Sequence, residues 1–491
     1  MSKKCFITTV TLLILPLPAL ANVTLYEFGN DRGEIWTSGE VVTRYENWNW
    51  FEPATSENYY NDYDYFFTRS RLGLGYASKW VDVFVQAQHS HIWDLPDDAI
   101  APAPAGPLGI GAVYYAHRGN RYYYSTFIKQ GYLRFKNILN TGLSLKGGRF
   151  EYVDALEVTY KNPKVMWLKK IRLAERLVGP FGWSAFTRSF DGAELSLDKD
   201  LFNVTTMVSH PTEGGFENDG HHHIDDITLA TATLTLKYHE TIPNTEGRLF
   251  YFFYNDDRKI PKVDNTPSDS GINQGNIEIH TMGFHLLNTL EIGPGTADSL
   301  LWGAWQWGDW GSLNHSAWAL DAEVGYQFTG VFAKPWFRIG YFISSGDSNP
   351  IDSDHETFFQ ILPTARKYAL FPFYNLMNNE DFFIQLILKP MEKLLIRTDV
   401  HFLDLNEEDD RWYMGAGATR EHGNIFGYIG RPSFGKSNLA TVFDLMAVYN
   451  VNKYISLNAY YGHAWGDDVI ENIYRRDDDA DFFFFEMALK F

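Results

Sequence analysis

Phe483-Phe484-Phe485-Glu486-Met487-Ala488-Leu489-Lys490-Phe491 is the stretch on which the fold turns. Phe483, Phe485, Met487, Leu489 and Phe491 fall on one face of an extended chain; Phe484, Glu486, Ala488 and Lys490 fall on the other. A period of two is strand geometry, because successive side chains point to opposite faces. One face is wholly apolar and the other mixes apolar with charged groups. Such a strand fits between lipid and a wet interior, and an aromatic final residue suits the closing strand of a transmembrane β-barrel. An edge strand of a soluble sheet is the competing reading.

The other end of the chain points to export. Lys3 and Lys4 precede an apolar run from Phe6 to Leu17, and Ala19-Leu20-Ala21 supplies the small residues of a cleavage site. The spacing predicts a signal peptide over 1–21 and a single barrel domain over 22–491. The only cysteine, Cys5, lies in the predicted leader, which leaves the mature chain without disulfides, thiolate metal sites or a cysteine nucleophile. Aromatic residues make up 16% of the chain, an excess that suits the two aromatic girdles of a membrane barrel. Mean hydropathy is −0.27, and no later run approaches the roughly 18 apolar residues of a spanning helix. The predicted location is the bacterial outer membrane.

Period-two segments recur along the chain. Val81, Val83, Val85 and Ala87 alternate with Asp82, Phe84, Gln86 and Gln88; Phe337, Ile339, Tyr341 and Ile343 alternate with Trp336, Arg338, Gly340 and Phe342. About 18 segments of roughly 9–11 residues are expected, the length that crosses a bilayer at a tilt. Polar stretches near 92–121, 210–227, 257–275, 346–380, 404–438 and 464–481 read as outer loops, and Ala77-Ser78-Lys79 and 450–453 as inner turns. Gly147-Gly148 inside a strand suggests a bulge. The net charge is −19, and acidic residues crowd 404–410, Asp467-Asp468 and 477–481, which argues against a nucleic-acid partner.

Charges on strand faces carry the functional reading. Arg44 and Glu46 share a face, as do Arg69 and Arg71; Arg149 with Glu151, Arg338, and the row Arg397, Asp399, His401 continue the pattern. On the lipid face at mid-depth each Arg or Lys would cost about 2–4 kcal/mol, so these residues are expected in the lumen or near an interface. An arginine-lined lumen attracts anions, and the guanidinium fork matches carboxylates. The alternative is a ladder of ion pairs with Glu46, Glu151, Asp191, Glu194, Asp399 and Asp444 that stiffens the wall.

Five segments carry a likeness to a known family. They are Gly147-Gly148-Arg149-Phe150-Glu151-Tyr152, Arg188-Ser189-Phe190-Asp191-Gly192-Ala193-Glu194, Tyr341-Phe342-Ile343-Ser344-Ser345-Gly346-Asp347, Pro363-Thr364-Ala365-Arg366-Lys367-Tyr368 and Gly427-Tyr428-Ile429-Gly430-Arg431-Pro432-Ser433. In order and spacing the chain resembles the alginate-export family of bacterial outer-membrane proteins. The resemblance implies an 18-stranded barrel with a narrow arginine-rich constriction that passes a polyuronate. By position it places Arg71, Arg149 and Arg366 in the constriction, Lys129 where an arginine stands in the best-studied members, and Asp191 and Glu194 beside them. Simple parity puts Lys129 with Phe127, Leu133 and Phe135, so either a bulge intervenes or it snorkels. The stretch from Trp167 to Phe181, with Lys169, Lys170, Arg172 and Arg176, reads as an insertion relative to the exporters proper.

Other chemistry is sparse. His221-His222-His223 among acidic residues is a metal candidate, but three successive histidines cannot all point one way and the segment reads as a solvated outer loop; the 477–481 acids lack the spacing of a calcium loop. No phosphate loop, HExxH or nucleophile elbow occurs. The expected function is passive passage of an anionic saccharide, with Arg44, Arg69, Arg71, Lys129, Arg149, Asp191, Glu194, Arg338, Arg366, Arg397 and Asp399 along the path. No cofactor is implied and no catalysis. Expected partners are the anionic polysaccharide or a small anionic solute, outer-membrane lipid, the barrel-assembly machinery and a periplasmic export or uptake protein, with a monomer as the default. The rivals are an uptake porin for small anions, a barrel enzyme and a plugged structural barrel.

Overall fold

Strand alternation sorts apolar side chains outward and polar or aromatic ones inward around a closed antiparallel barrel of 18 strands. The computed structural model describes residues 22–29, 32–54, 59–260, 262, 275–415 and 428–491; the predicted leader, 1–21, lies outside the described residues. In chain order the wall is β1 (Gly33–Asn49), β2 (Asp62–Ala77), β3 (Val81–Trp93), β4 (Tyr123–Ile138), β5 (Leu143–Phe150) and β6 (Phe190–Asp198). It continues through β7 (Phe202–Pro211), β8 (Ile227–Leu236), β9 (Thr245–Asp256), β10 (Ile277–Ile292), β11 (Gly295–Trp310) and β12 (Leu313–Phe328). β13 (Trp336–Ser344), β14 (Glu380–Met391), β15 (Leu394–Asp404), β16 (Asn438–Asn450), β17 (Ile455–Gly466) and β18 (Asp479–Lys490) complete it.

Closure rests on the segment that opened the sequence reading. β18 pairs with β1 from Glu40↔Lys490 to Asn49↔Asp481. Phe483, Phe485, Met487, Leu489 and Phe491 are exposed to the outside, while Phe484, Glu486, Ala488 and Lys490 are buried inside. The Phe491 N–H donates to the Gly39 carbonyl at 2.9 Å, and the Gly39 N–H donates back to the Phe491 carbonyl at 2.8 Å. Below that point a short strand, Val23–Phe28, takes over as the partner of β1.

The connections are tight at one end, as at 78–80, 293–294 and 392–393, and long at the other. The flanking strands end within a few residues of the predicted limits of the outer loops, of which 261, 263–274 and 416–427 lie outside the described residues. Two further long connections, 50–61 and 151–189, were not predicted, and β11 joins β12 by only two residues on the long-loop side. Asp479 to Asp481 belong to β18 rather than to a loop. Strand length ranges from 8 residues in β5 to 17 in β1, so the wall is taller and more uneven than the expected 9–11.

The bulge lies opposite its predicted position. Gln86 pairs with Gln130 but Ala87 pairs with Ile128, which leaves Lys129 as an extra residue in β4. An extra residue flips parity. Ser125, Phe127 and Lys129 therefore point inward, while Leu133 and Phe135 point to lipid. Gly147 and Gly148 pair in register with β4 and β6 and form no bulge. Gly148 instead has φ of +123°, and a Cβ there would lie 2.3 Å from the Gly131 carbonyl oxygen. Gly148→Ala is expected to cost about 1–3 kcal/mol in urea unfolding from lipid vesicles. Gly147→Ala, which meets nothing within 4 Å, should stay within about 0.5 kcal/mol of the parent.

Aromatic residues are not confined to girdles. Trp305, Trp307, Trp318 and Trp465 are exposed on the outer face, but eight of the 15 tryptophans are buried. They are buried because the lumen is filled: residues from 151–189 and 345–379 form one apolar cluster with inward strand residues such as Trp302, Trp336 and Phe342.

Candidate functional site

The inward cations of β1 to β4 grip a piece of main chain. Arg69 donates to the carbonyls of Gly182 at 2.9 Å and Ser184 at 2.7 Å, and Arg44 to that of Trp183 at 3.0 Å. Gln88 and Ser90 both donate to the Ala185 carbonyl. Lys129 reaches the carbonyls of Thr187 and Arg188, and Arg71 donates to the Thr187 hydroxyl at 2.6 Å. Almost every carbonyl from 182 to 188 is thus met by a donor on the wall. The same cations have carboxylate partners: Arg44 with Glu486 at 2.5 Å and Glu46 at 3.2 Å, Arg69 with Glu40 at 3.4 Å, and Lys129 and Arg71 with Glu151 at 3.1 and 3.5 Å. They carry little uncompensated charge toward the passage and chiefly hold the inserted segment.

The insertion seen in the sequence is the body of that plug. Asn162 caps the short helix Pro163–Leu168 by accepting from the N–H groups of Lys164 and Val165. From there the chain crosses the lumen and its cations meet acids on the far wall. Lys169 bonds Glu246 at 2.7 Å, Arg172 bonds Glu323 at 2.8 Å, and Arg176 bonds Asp321 at 2.6 Å. Arg338 shares Glu323 at 2.5 Å and also pairs with Asp298. The second segment, 345–379, runs beside the first. The Leu362 N–H donates to the Leu177 carbonyl at 2.8 Å, the Gly179 N–H to the Leu362 carbonyl at 2.9 Å, and Lys367 pairs with Glu175 at 2.5 Å. Arg397 of β15, besides pairing with Asp399, donates to the carbonyls of Lys367 and Tyr368.

Between the two segments and the outer loops lies a cavity with about 60 Å³ open to the centres of water molecules. Arg188, Arg366 and Arg431 line it together with Trp50, Phe181, Phe216, Gln360, Tyr374 and Tyr428. Among the described residues none of the three guanidiniums has a carboxylate at bonding distance, unlike those on the strands. Arg366 donates to the Leu370 carbonyl and lies 3.8 Å from the Trp183 ring; Arg431 donates to the Ala105 carbonyl at 3.0 Å. Nitrogens of all three, Nε and Nη1 of Arg188 among them, are buried without a hydrogen-bond partner. Burial pulls the Arg188 and Arg366 guanidiniums down, each to about 10.

The outer loops join over this cavity through one carboxyl. Asp410 accepts from the Asp347 N–H at 2.9 Å, the Thr357 hydroxyl at 2.6 Å and the Tyr413 hydroxyl at 2.8 Å. Burial, and for Asp347 the nearby Asp410 carboxylate, push Asp410 up to about 6 and Asp347 up to about 7. Carboxyls that protonate more readily in the docked loops stabilise docking fully below about pH 4 and lose that contribution as pH rises through about 6–7. The open-loop fraction, read by spin-label distances between the loops, should rise about a hundredfold or more from about pH 5 to about pH 8. Asp347→Asn should flatten most of that dependence.

Of the residues singled out in the sequence, Arg44, Arg69, Arg71, Lys129, Arg338, Arg397 and Asp399 lie on the inner wall, and Arg366 sits in the lumen on 345–379. Glu194 is also inward and bonds Lys146 at 2.9 Å. Arg149 and Asp191 do not line the lumen. They face each other across β5 and β6 in the row that holds Leu145 and Leu195, 40% and 42% exposed to the outside. Arg149 binds Asp191 at 2.6 Å and the carbonyls of Gly220 and His221, so loop 212–226 covers the pair at the rim. Glu151, which looked like its face-mate, lies beyond the strand end and turns inward. His221 and His223 pair separately with Asp219 and Asp191, and no set of three ligands around His221–His223 or 477–481 converges among the described residues. Arg188 and Arg431 were missed as site residues. Both stand in segments that carried the family likeness, but Arg188 lies outside any strand and Arg431 in a strand of only five residues, Tyr428–Pro432, so no periodic face marks either.

A search of the solved structures finds outer-membrane channels along nearly the whole chain. Pseudomonas aeruginosa OpdK with vanillate aligns at 9% identity over 93% of this chain and 98% of its own, with a TM-score of 0.55. Acinetobacter baumannii OccAB2 aligns at 10% over 93% and 98%, TM-score 0.55, and P. aeruginosa OccK8 (OprE) at 12% over 93% and 98%, TM-score 0.52. No curated protein matches the chain. A family model, Alginate export, matches residues 128–482, a span that takes in both plug segments, the Arg188 and Arg366 sites, the wall strands β5 to β17 and parts of β4 and β18. The chain is an outer-membrane channel protein and belongs to the alginate-export family.

Proposed function

We propose that the channel is selective for solutes carrying a carboxylate beside a ring, the class to which uronate sugars belong. The observation that carries this reading is the cavity where Arg188, Arg366 and Arg431 meet without an acid among aromatic side chains. Guanidinium forks match carboxylates, and the faces of Trp50, Phe181 and Phe216 suit the apolar faces of a ring. Family membership supports a uronate, and OpdK, whose structure was solved with vanillate, was seen with a ring-bearing carboxylate. The small cavity favours single residues or short oligomers while the plug is seated; a longer polyuronate needs the plug displaced. The reading needs passage alone, with no covalent step. It includes a monomeric barrel over 22–491, assembly by machinery that reads β18, and a periplasmic export or uptake partner.

Planar-bilayer recording tests it. The parent channel should prefer anions, and glucuronate but not glucose should interrupt the current. A charge-assisted hydrogen bond contributes about 1.5–3 kcal/mol, so Arg188→Ser and Arg366→Ser should each weaken the glucuronate block by roughly tenfold or more. A silent barrel, a cation-preferring channel, or an unchanged block in the double variant would overturn the proposal.

A further inference from the structure

On the wall of β14 to β16, beside the arginine cavity, lies a second cluster with unmet polar atoms. His401 directs Nδ1 at both oxygens of Asp381, 2.9 and 3.0 Å away. A carboxylate only accepts, so Nδ1 carries a proton, and in the neutral ring Nε2 is left with its lone pair. That Nε2 faces carboxylate oxygens of Asp399 and Asp444, each 3.9 Å distant. The three ligand atoms lie within 4.8 Å of one another, all on buried side chains. His401 Nε2 and Asp399 Oδ1 have no hydrogen-bond partner, and neither side-chain atom of Gln385, which pairs with Asp399 across the strands, has one. Buried polar atoms without partners on three neighbouring side chains call for a further polar group.

We propose that Asp399, His401 and Asp444 bind a divalent transition-metal cation of the zinc class. Tetrahedral ligands about 2.0–2.2 Å from such an ion lie roughly 3.3–3.6 Å from one another, so the two 3.9 Å separations found here need to close by only a few tenths of an ångström. One nitrogen and two carboxylate oxygens leave a fourth position open to water or to Gln385. Asp381 orients the imidazole from behind, the usual companion of a metal-bound histidine. The charges agree: with a neutral ring, three carboxylates face one guanidinium, Arg397 on Asp399, and a divalent cation neutralises the set. The site also touches the plug. Asp444 accepts from the Leu370 N–H at 2.8 Å, so a bound ion would stiffen the wall where 345–379 docks.

The full chain, refolded in detergent with Co²⁺ and freed of excess ion, tests this. One equivalent of cobalt should be retained with a visible d–d band that Zn²⁺ bleaches. His401→Gln should abolish the band, and Asp381→Asn, which spares all three ligands, should weaken binding about 10–100-fold. A variant with His221, His222 and His223 all changed to Gln should keep it. No retained cobalt, a band that survives His401→Gln, or one lost with the loop histidines would overturn the proposal, leaving His401 as an imidazolium among carboxylates.

Discussion

Replacing residues 163–183 by a glycine–serine segment of equal length should raise single-channel conductance severalfold, by about threefold or more. An 18-stranded wall encloses an interior wide enough for water unless something fills it. Here Trp167, Ile171, Leu173, Leu177, Phe181 and Trp183 fill it with buried apolar surface. A glycine–serine segment has neither the apolar side chains to stay inside nor the cations that reach Glu246, Asp321 and Glu323. The wall keeps its strand hydrogen bonds, so the barrel should still assemble and resist detergent. Arg69→Ser should act in the same direction and more weakly, because it removes the grip on the Gly182 and Ser184 carbonyls and nothing else on the segment. Unchanged conductance in the glycine–serine variant would mean that the passage is closed elsewhere.

Glu323→Ala should lower stability in lipid vesicles by about 3–5 kcal/mol, the range for breaking a buried ion pair by removing one partner. Glu323 accepts from Arg172 at 2.8 and 3.1 Å and from Arg338 at 2.5 Å, with Arg176 at 4.0 Å. Deleting the carboxylate leaves buried guanidiniums short of charge. The loss should divide between two events, because Arg338 belongs to the wall and Arg172 to the plug. Conductance should therefore rise along with the drop in unfolding free energy. In the glycine–serine variant, which already lacks Arg172 and Arg176, the same substitution should cost clearly less. Equal costs in the two backgrounds would separate Glu323 from the plug and refute the pairing.

The wall could be read from the sequence because its signal is local. In β3, β13 and β18 alternate residues meet lipid, and that alternation follows from the covalent geometry of an extended chain. The same rule went astray at Lys129 and Arg149. One extra residue in β4 reverses which face Lys129 occupies, and no residue type announces it. Arg149 was placed inward by its charge, whereas it is satisfied on the outer face at the rim by Asp191 and by carbonyls of a loop some 70 residues later. The aromatic excess was assigned to girdles, yet much of it packs the lumen.

From one end to the other, residue order alone determined that this chain closes as an outer-membrane barrel and that its interior bears cations. It did so because lipid imposes a repeating demand on neighbouring residues. Which cations remain free was settled by long-range folding. Arg44 finds Glu486 across 442 positions of sequence and Arg172 finds Glu323 across 151, while Arg188, Arg366 and Arg431 find no acid among the described residues. Partnership of that kind depends on how distant segments meet inside the wall, and a local pattern carries no record of it.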